Sequence, residues 1–555
     1  MSGAPTLQGP ANIESASPDR RWAGLFILLM LLHPVLVWAF PYFPSQDGPI
    51  HLGIAQTLAD YDNPDYPVMA QYFERHWSLL RNPFTSLLLG ALAKAMPLLV
   101  AEKVYLTLIV VLFPLTLYYV LRAITPNAIF LVFAAFPLTY SFTLMMGFYA
   151  FSFGISLFLL AVGLWLRLRD HWTVTRVCLF GSAVFLTYTV HIFAAFNVIF
   201  FVGLSTIWEI SARFLVDSGG RTFRSLWRII LARGIPPLVS VIPVLTIVLT
   251  FMAKSETSPG SAFSVPVRLL SFLAMFPALN FHWQDSAISI GTNSVLLTFL
   301  VFAAVEWWKK KKPLNSQFWF VFLSYFILML LVPTPAPGSA FMFERLMIYT
   351  FIVLIVALAS SPVPRRLLLV GAFAITVLSL LNLGNRYWQH EKANEYIAEY
   401  MSGADLVAPN STLLSLTVEF ASADRAVALR FRPLLHAAGY LVIDRHVVDL
   451  TNYQAAHGGY FPIAYRPELD PYSRLSSGLE FVPPPNVRLD YPDGAPGSVD
   501  YVILWGALEQ VADNPEIRKL TAQLEKDYER VMVSSPRRLM RLYRRTERPA
   551  NRSGS

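Results

Sequence analysis

Long apolar runs separated by short charged clusters fill the first two thirds of the chain. Runs at 22–40, 103–121, 125–141, 148–166, 175–190, 192–211, 235–253, 290–307, 317–333, 346–360 and 366–384 each approach or exceed the length a helix needs to cross a ~30 Å hydrocarbon core. The pattern therefore predicts eleven membrane spans. The stretch from Phe84 to Val100 is also apolar, but it carries Lys94 in its middle and Pro97 near its end, which suits a helix lying at the interface. Read that way, the segment 41–102 is a long first loop that begins Phe40-Pro41-Tyr42-Phe43-Pro44 and continues Ser45-Gln46-Asp47-Gly48. Pro49 falls where the first turn of a short helix accepts proline, with Asp47 placed to cap it.

Beyond Leu383 the periodicity changes. A polar helical pattern runs from Tyr387 to Tyr400, followed by strand-like runs at Ser411 to Val418, Val427 to Phe431, Tyr440 to Leu450 and Val499 to Leu504. A helical stretch from Asn514 to Tyr528 leads to a last strand pair, Arg530 to Ser534 and Leu539 to Tyr543, and proline-rich patches at Pro483 to Pro485 and Pro492 to Pro496 mark loops. The fold class expected is a polytopic α-helical membrane protein, 1–384, carrying a soluble α/β domain, 385–555. That second domain shows no glycine-rich phosphate loop, no GxSxG and no metal-spaced histidine pair, so the sequence assigns it no chemistry.

Composition agrees with this division. Hydrophobic residues are 55% of the 555 and charged residues only 14%, against about a quarter charged in soluble proteins, and the mean hydropathy is +0.48. Residues 1–384 hold 24 Lys/Arg and 15 Asp/Glu, while 385–555 hold 20 and 21. The basic surplus lies in short clusters between spans (Arg20-Arg21, Arg167 to Arg176, Arg221 to Arg233, Lys309 to Lys312, Arg365-Arg366), the positive-inside pattern, and not in a nucleic-acid footprint. With 84–100 at the interface, the cytoplasmic segments carry 17 Lys/Arg against 6 Asp/Glu and the outer segments 7 against 9. This orients the chain with its N-terminus in the cytoplasm and the C-terminal domain outside, in a plasma membrane of bacterial inner-membrane type. No small-x-small site follows the first run, so a retained signal anchor is expected in place of a cleaved signal peptide. The single cysteine, Cys178, excludes an intrachain disulfide and a Cys-based zinc site.

Ionisable groups at membrane depth or at the mouth of a bundle are costly, which makes the few outer ones candidates for chemistry. Asp47 and His51 stand four apart, and a partly desolvated carboxylate there suits a general base; the plain reading is an N-cap and an interfacial histidine. His191, at the outer corner between two spans, is placed to meet them, and the three together suit a hydroxyl or a divalent ion such as Mn or Zn. The plain reading is a satisfied interfacial histidine. Outer arginines are scarce in the membrane part (Arg75, Arg81, Arg268 and Arg345), and each is a candidate for a lipid phosphate, Arg345 first and Arg268 next. Glu344 beside Arg345 either borders the same cavity or pairs with its neighbour. The segment Val265 to Leu279 reads as a lid over a lipid-linked substrate or as an ordinary interfacial helix.

With an acidic residue directly after the first span, a long outer loop, juxtamembrane helices and an outward C-terminal α/β domain, the layout resembles the GT-C superfamily of membrane glycosyltransferases. Gln46-Asp47-Gly48-Pro49-Ile50-His51-Leu52 is similar to that superfamily's Asp-centred first-loop motif. The resemblance implies a sugar donor carried on a polyprenyl phosphate or pyrophosphate, transfer on the outer face to a glycan, lipid or protein acceptor, Asp47 as catalytic base and an outer arginine such as Arg345 as phosphate ligand. It covers the layout of 1–384 but only a few residues of motif. One departure is plain: many members carry an acidic pair in the first loop, whereas Gly48 follows Asp47 here. The competing class is non-catalytic, a transporter, flippase or assembly factor for a lipid-linked saccharide. Transporters tend to show inverted repeats and helices broken at matching positions, and this sequence shows neither.

Overall fold

The computed structural model describes residues 20–76, 83–216, 222–254, 264–278, 282–310, 316–333, 341–419, 428, 430–456, 461–489 and 498–546. Among the described residues, nine helical segments are long and apolar enough to cross a membrane. The protein is thus a polytopic helical protein, with nine such segments where the sequence pattern predicts eleven. The other two runs are helices as well, but Val174–Val190 and Gln317–Leu331 are shorter. Val174–Val190 has 17 residues, roughly 26 Å at 1.5 Å per residue. Thr173 fixes its start by accepting a hydrogen bond from the Arg176 amide at 3.3 Å, and extended backbone at His191 stops it. The stretch from Phe84 to Val100 is not continuous. Its helix Phe84–Ala93 has ten residues, and a new helix, Leu98–Arg122, starts behind Pro97.

One apolar run folds unlike its neighbours. Ala128–Met145 is wholly buried and broken into short α and 3-10 pieces around Pro137 and Ser141. Backbone broken at that depth is tolerated only when other protein surrounds it, and here Phe130, Phe133 and Phe136 pack into the main core with Phe26, Phe113 and Trp165. This segment delivers residues 142–147 to the end of the bundle where the first loop lies.

That end is built jointly by the first loop and the last third of the chain. The helix Arg365–Met401 is continuous through 384 and 385 and has 37 residues, about 55 Å, well beyond a ~30 Å hydrocarbon core. Its side chains tie the connections together. Asn394 brackets the Tyr42 backbone with two hydrogen bonds of 3.0 Å, one accepted from its amide and one donated to its carbonyl. Arg386 donates to the Ala278 carbonyl at 3.0 Å, and Asn385 to Asp285 at 2.7 Å.

The sheet of the last third has the order β3-β2-β5-β7-β6. Its strands are β2 (Thr412–Thr417), β3 (Val448–Asp449), β5 (Tyr501–Trp505), β6 (Tyr528–Val533) and β7 (Met540–Arg545). β2 runs parallel to β3 and β5, and β7 is antiparallel to β5 and β6. Every residue of β2 is buried, as expected of a parallel strand covered on both faces. Leu413 packs with Leu36, Tyr105 and Tyr149 of the bundle and with Tyr396 and Ile397 of the long helix. Leu414 and Leu416 point the other way, into a core shared with Ile517, Leu520 and Leu524 of the helix Pro515–Asp527 and with Ile50, Ile54 and Val68 of the first loop. A second, two-stranded sheet pairs β1 (Phe73–Arg75) with β4 (Ile463–Tyr465), Phe73 opposite Tyr465. First loop and C-terminal sheet therefore share both hydrogen bonds and cores.

Two strand expectations differ from the fold. Tyr440 to Leu450 forms a helix, Ala438–Arg445, followed only by the short β3. Of Val427 to Phe431, residues 427 and 429 lie outside the described residues, and Ala428, Arg430 and Phe431 form no strand.

Candidate functional site

The helix Gly48–Asp60 forms after Asp47 with Pro49 in its first turn, as the sequence predicts, but the Asp47 side chain makes no capping bond to it. The carboxylate is engaged elsewhere. The loop before the helix is zipped to the end of the broken segment: the amides of Gln46 and Asp47 donate to the carbonyls of Met145 and Met146 at 3.0 and 3.1 Å. Gly147 makes this crossing possible. Its φ is +86°, and a Cβ there would lie 2.7 Å from the amide nitrogens of Asp47 and Gly48.

Held in this way, Asp47 is 3% exposed. The Tyr453 hydroxyl donates to Oδ2 at 3.0 Å and the Gln46 amide to Oδ1 at 3.2 Å. Gln46 is itself anchored, because its Oε1 accepts from the Arg432 backbone amide at 2.9 Å. His436 Nε2 stands 3.6 Å from Oδ1, too far for a hydrogen bond, and its ring packs on Tyr453 with centroids 5.2 Å apart. Burial pushes the Asp47 carboxyl up to about 6, opposed by the bonds from Tyr453 and Gln46 and by the charge of Arg345. Burial likewise pushes His436 down to about 3, so at neutral pH it is an uncharged neighbour and not an ion-pair partner.

His51 lies beside this group with its own bond: Nε2 is 3.0 Å from the Gly147 carbonyl. A carbonyl only accepts, so Nε2 carries the proton, and burial, pushing the ring down to about 4, keeps it neutral. Its visible work is to hold the crossing at Gly147. His191 is placed differently from the expectation of a shared metal set. Its Nδ1 accepts from the Phe193 amide at 3.1 Å, capping the helix that starts at Ile192, and its ring packs edge-on to Phe151. Among the described residues no three His, Cys, Asp or Glu side chains stand close enough together to hold a metal ion.

The arginines separate as well. Arg345 stacks over Phe148 at 4.5 Å and Phe151 at 5.4 Å, near enough for its charge to act on Asp47, Tyr453 and His191. Arg268 is buried and donates to the carbonyls of Met329 and Leu330 at 3.1 and 3.0 Å, at the carboxyl end of the neighbouring helix, while stacking over Phe343. Glu344 acts on two arginines other than its neighbour in sequence, its charge favouring the guanidinium forms of Arg268 and Arg430. The segment Val265–Leu273 is a helix whose Phe272 is stacked on Phe351 at 4.6 Å, which binds it to the bundle; residues 279–281 and 255–263 lie outside the described residues, as does Arg81.

Several neighbours of Asp47 have no signature in the sequence. Tyr453, His436 and Arg432 come from about 400 residues downstream. Arg430 lies between the rings of Phe142 and Phe276, at 3.9 and 3.3 Å, and donates to the Phe276 carbonyl at 2.7 Å. Glu102, from the start of the second span, accepts from the Tyr149 hydroxyl at 2.7 Å, and that hydroxyl lies 2.7 Å from Ser45 Oγ. A Cβ on Gly48 would meet Ser45 Oγ at 2.2 Å, the Tyr149 hydroxyl at 2.3 Å and Glu102 Oε1 at 3.1 Å. The position after Asp47 has no room for a side chain because the Ser45 and Tyr149 hydroxyls fill it, with the Glu102 carboxylate next to them.

In comparison with known proteins, the chain matches no family model, and no curated protein resembles it significantly in sequence.

Proposed function

We propose that the protein is an integral membrane glycosyltransferase of the GT-C type, moving a sugar from a polyprenyl-phosphate donor to an acceptor hydroxyl on the outer face of the membrane. The observation that carries this reading is a buried carboxylate, Asp47, raised to about 6 at the seam between the bundle and the α/β unit, with the Arg345 guanidinium close by. A group with that value is ionised at neutral pH and still basic enough to take a proton. Asp47 removes the acceptor's proton, the acceptor oxygen bonds to the anomeric carbon, and the bond from that carbon to the phosphate oxygen breaks with inversion. The departing polyprenyl phosphate carries the negative charge away, and Arg345 offsets it. The surplus of basic residues on the opposite ends of the spans supports a cytoplasmic N-terminus and an outer position for the site.

The test is transfer by the full-length chain in proteoliposomes supplied with labelled polyprenyl-phosphate mannose, glucose and arabinose. Asp47→Asn keeps the size of the side chain and one of its two accepted hydrogen bonds while removing the base, and is expected to lower transfer at least ~100-fold with donor binding intact. Transfer at the wild-type rate by a folded Asp47→Asn protein overturns the base role. Retention of donor without transfer by the wild type overturns the enzymatic reading in favour of a carrier.

A further inference from the structure

The loop that brings Tyr453 to Asp47 also delivers a second polar group that the mechanism above leaves unused. β3 ends at Asp449, and residues 450–454 follow from its carboxyl end, the side on which parallel sheets place ligands. The loop is rigidly made. Asp449 Oδ1 accepts from the Thr451 amide at 2.8 Å and hydroxyl at 2.6 Å, and Asn452 Oδ1 accepts from the amides of Gln454 and Ala455 at 3.1 and 3.3 Å. The Gln454 side chain is 2% exposed. Its Nε2 donates to the Tyr453 hydroxyl at 3.4 Å, the same hydroxyl that donates to Asp47 at 3.0 Å. Its Oε1 is buried and has no hydrogen-bond partner.

A buried amide oxygen without a donor costs about 1–3 kcal/mol, and the bond that the side chain makes from Nε2 to Tyr453 leaves Oε1 unsatisfied. The cost is recovered when a ligand supplies the donor. The ligand must bring a neutral hydroxyl or amide N–H: the surroundings already hold the Asp47 carboxylate, which repels an anion, and an apolar group would leave Oε1 as it is. Gln454 Nε2 and Asp47 Oδ2 both contact the Tyr453 hydroxyl, at 3.4 and 3.0 Å, which sets the two side chains beside one another as two neighbouring hydroxyls of one sugar ring stand. We propose that Gln454 and Asp47 form a recognition site for a vicinal diol of the acceptor, the reacting hydroxyl directed to Asp47 and its neighbour donating to Gln454 Oε1, with Tyr453 positioning both groups. The assignment rests on the transferase reading of the same site and adds to it the acceptor class, a neutral polyhydroxylated ring.

The experiment uses the full chain in detergent and methyl glycosides as probes: methyl α-mannopyranoside, methyl β-glucopyranoside, methyl β-galactopyranoside and methyl α-arabinofuranoside, each with its monodeoxy counterparts. Binding is read by saturation-transfer NMR, independently of catalysis. At least one glycoside is expected to bind the wild type, about tenfold more weakly to Gln454→Leu, with the thermal midpoint of the variant equal to or above that of the wild type because an unsatisfied group has been removed. One monodeoxy analogue should lose the same factor on the wild type and nothing further on the variant, which a merely structural role of Gln454 would not produce. Binding by none of the glycosides, or equal binding by wild type and variant, overturns the proposal. The two readings fail separately: if Asp47→Asn abolishes transfer while Gln454→Leu binds normally, the diol site falls and the base stands, and if Gln454→Leu loses binding while Asp47→Asn still transfers, the reverse holds.

Discussion

Tyr453 is the residue through which the last third of the chain reaches the carboxylate. Its hydroxyl bond favours the ionised form of Asp47 and partly offsets the desolvation that pushes the carboxyl up to about 6. Two consequences follow for pH dependence. Transfer should fall as pH drops through about 6, because the base becomes protonated. Tyr453→Phe removes a bond that stabilises the anion, so the acidic limb of the rate profile should move to higher pH by about one unit, given 1.4 kcal/mol per unit. A limb that stays in place would show that the hydroxyl does not tune the base. At this scale the sequence pattern marks Asp47 and His51, since a charged pair directly after a span is rare and stands out. It cannot mark Tyr453, His436 or Glu102, because their approach is a matter of tertiary path and each looks ordinary among its own neighbours. Arg268 shows a different limit: scarcity makes it a phosphate candidate, and only the fold reveals that its guanidinium also holds the carbonyls of Met329 and Leu330.

Among elements, the decisive crossing is that of Gly48–Asp60 over Ala438–Arg445. A Cβ on Gly439 would lie 2.0 Å from the Pro49 carbonyl oxygen and 2.3 Å from its carbon, both backbone atoms that cannot rotate away. Gly53 faces Gly439 from the other helix, at 3.6 Å from a built Cβ to its Cα. The lower edge of the same contact is pinned by His446, whose Nδ1 is 2.7 Å from Asp60 and whose ring stacks on Tyr66 with centroids 3.8 Å apart. Gly439→Ala must push the two helices apart one residue away from the loop that holds Asp47. It is expected to destabilise the protein by about 2 kcal/mol or more, read as a lower thermal midpoint in detergent, and to reduce transfer beyond what the stability loss explains. A variant with wild-type midpoint and rate would show that the crossing yields freely. Short apolar, β-branched runs make Tyr440 to Leu450 look like a strand, whereas the segment is helical where a glycine allows another helix to dock. Period alone cannot reveal that docking. The long apolar spans, by contrast, were legible because length and composition dictate them, and the break at Ala128–Met145 was not, since its interruptions are satisfied by surrounding protein.

At the level of the whole molecule, the membrane body and the sheet share a core in which Leu36, Tyr149, Leu413 and Trp505 belong to one cluster. Because β1 pairs with β4, the first loop and the C-terminal sheet must lie on one side of the membrane whichever side that is. In a Cys178→Ser background, Asp62→Cys and Glu529→Cys, at positions whose side chains are well exposed, should both react with a membrane-impermeant maleimide applied to intact cells. Thr175→Cys, at the opposite end of the helix that ends beside His191, should react only after permeabilisation. Labelling of Thr175→Cys alone in intact cells would invert the proposed orientation, and labelling of only one of the other two would contradict the pairing itself. The pairing also orders events in time. Residues 73–75 leave the ribosome nearly 400 residues before their partners at 463–465, so the early strand waits with an open edge while every later span is inserted. The carboxylate beside it is likewise uncovered until Tyr453 arrives, and a chain cut short anywhere before that point carries the motif without a site.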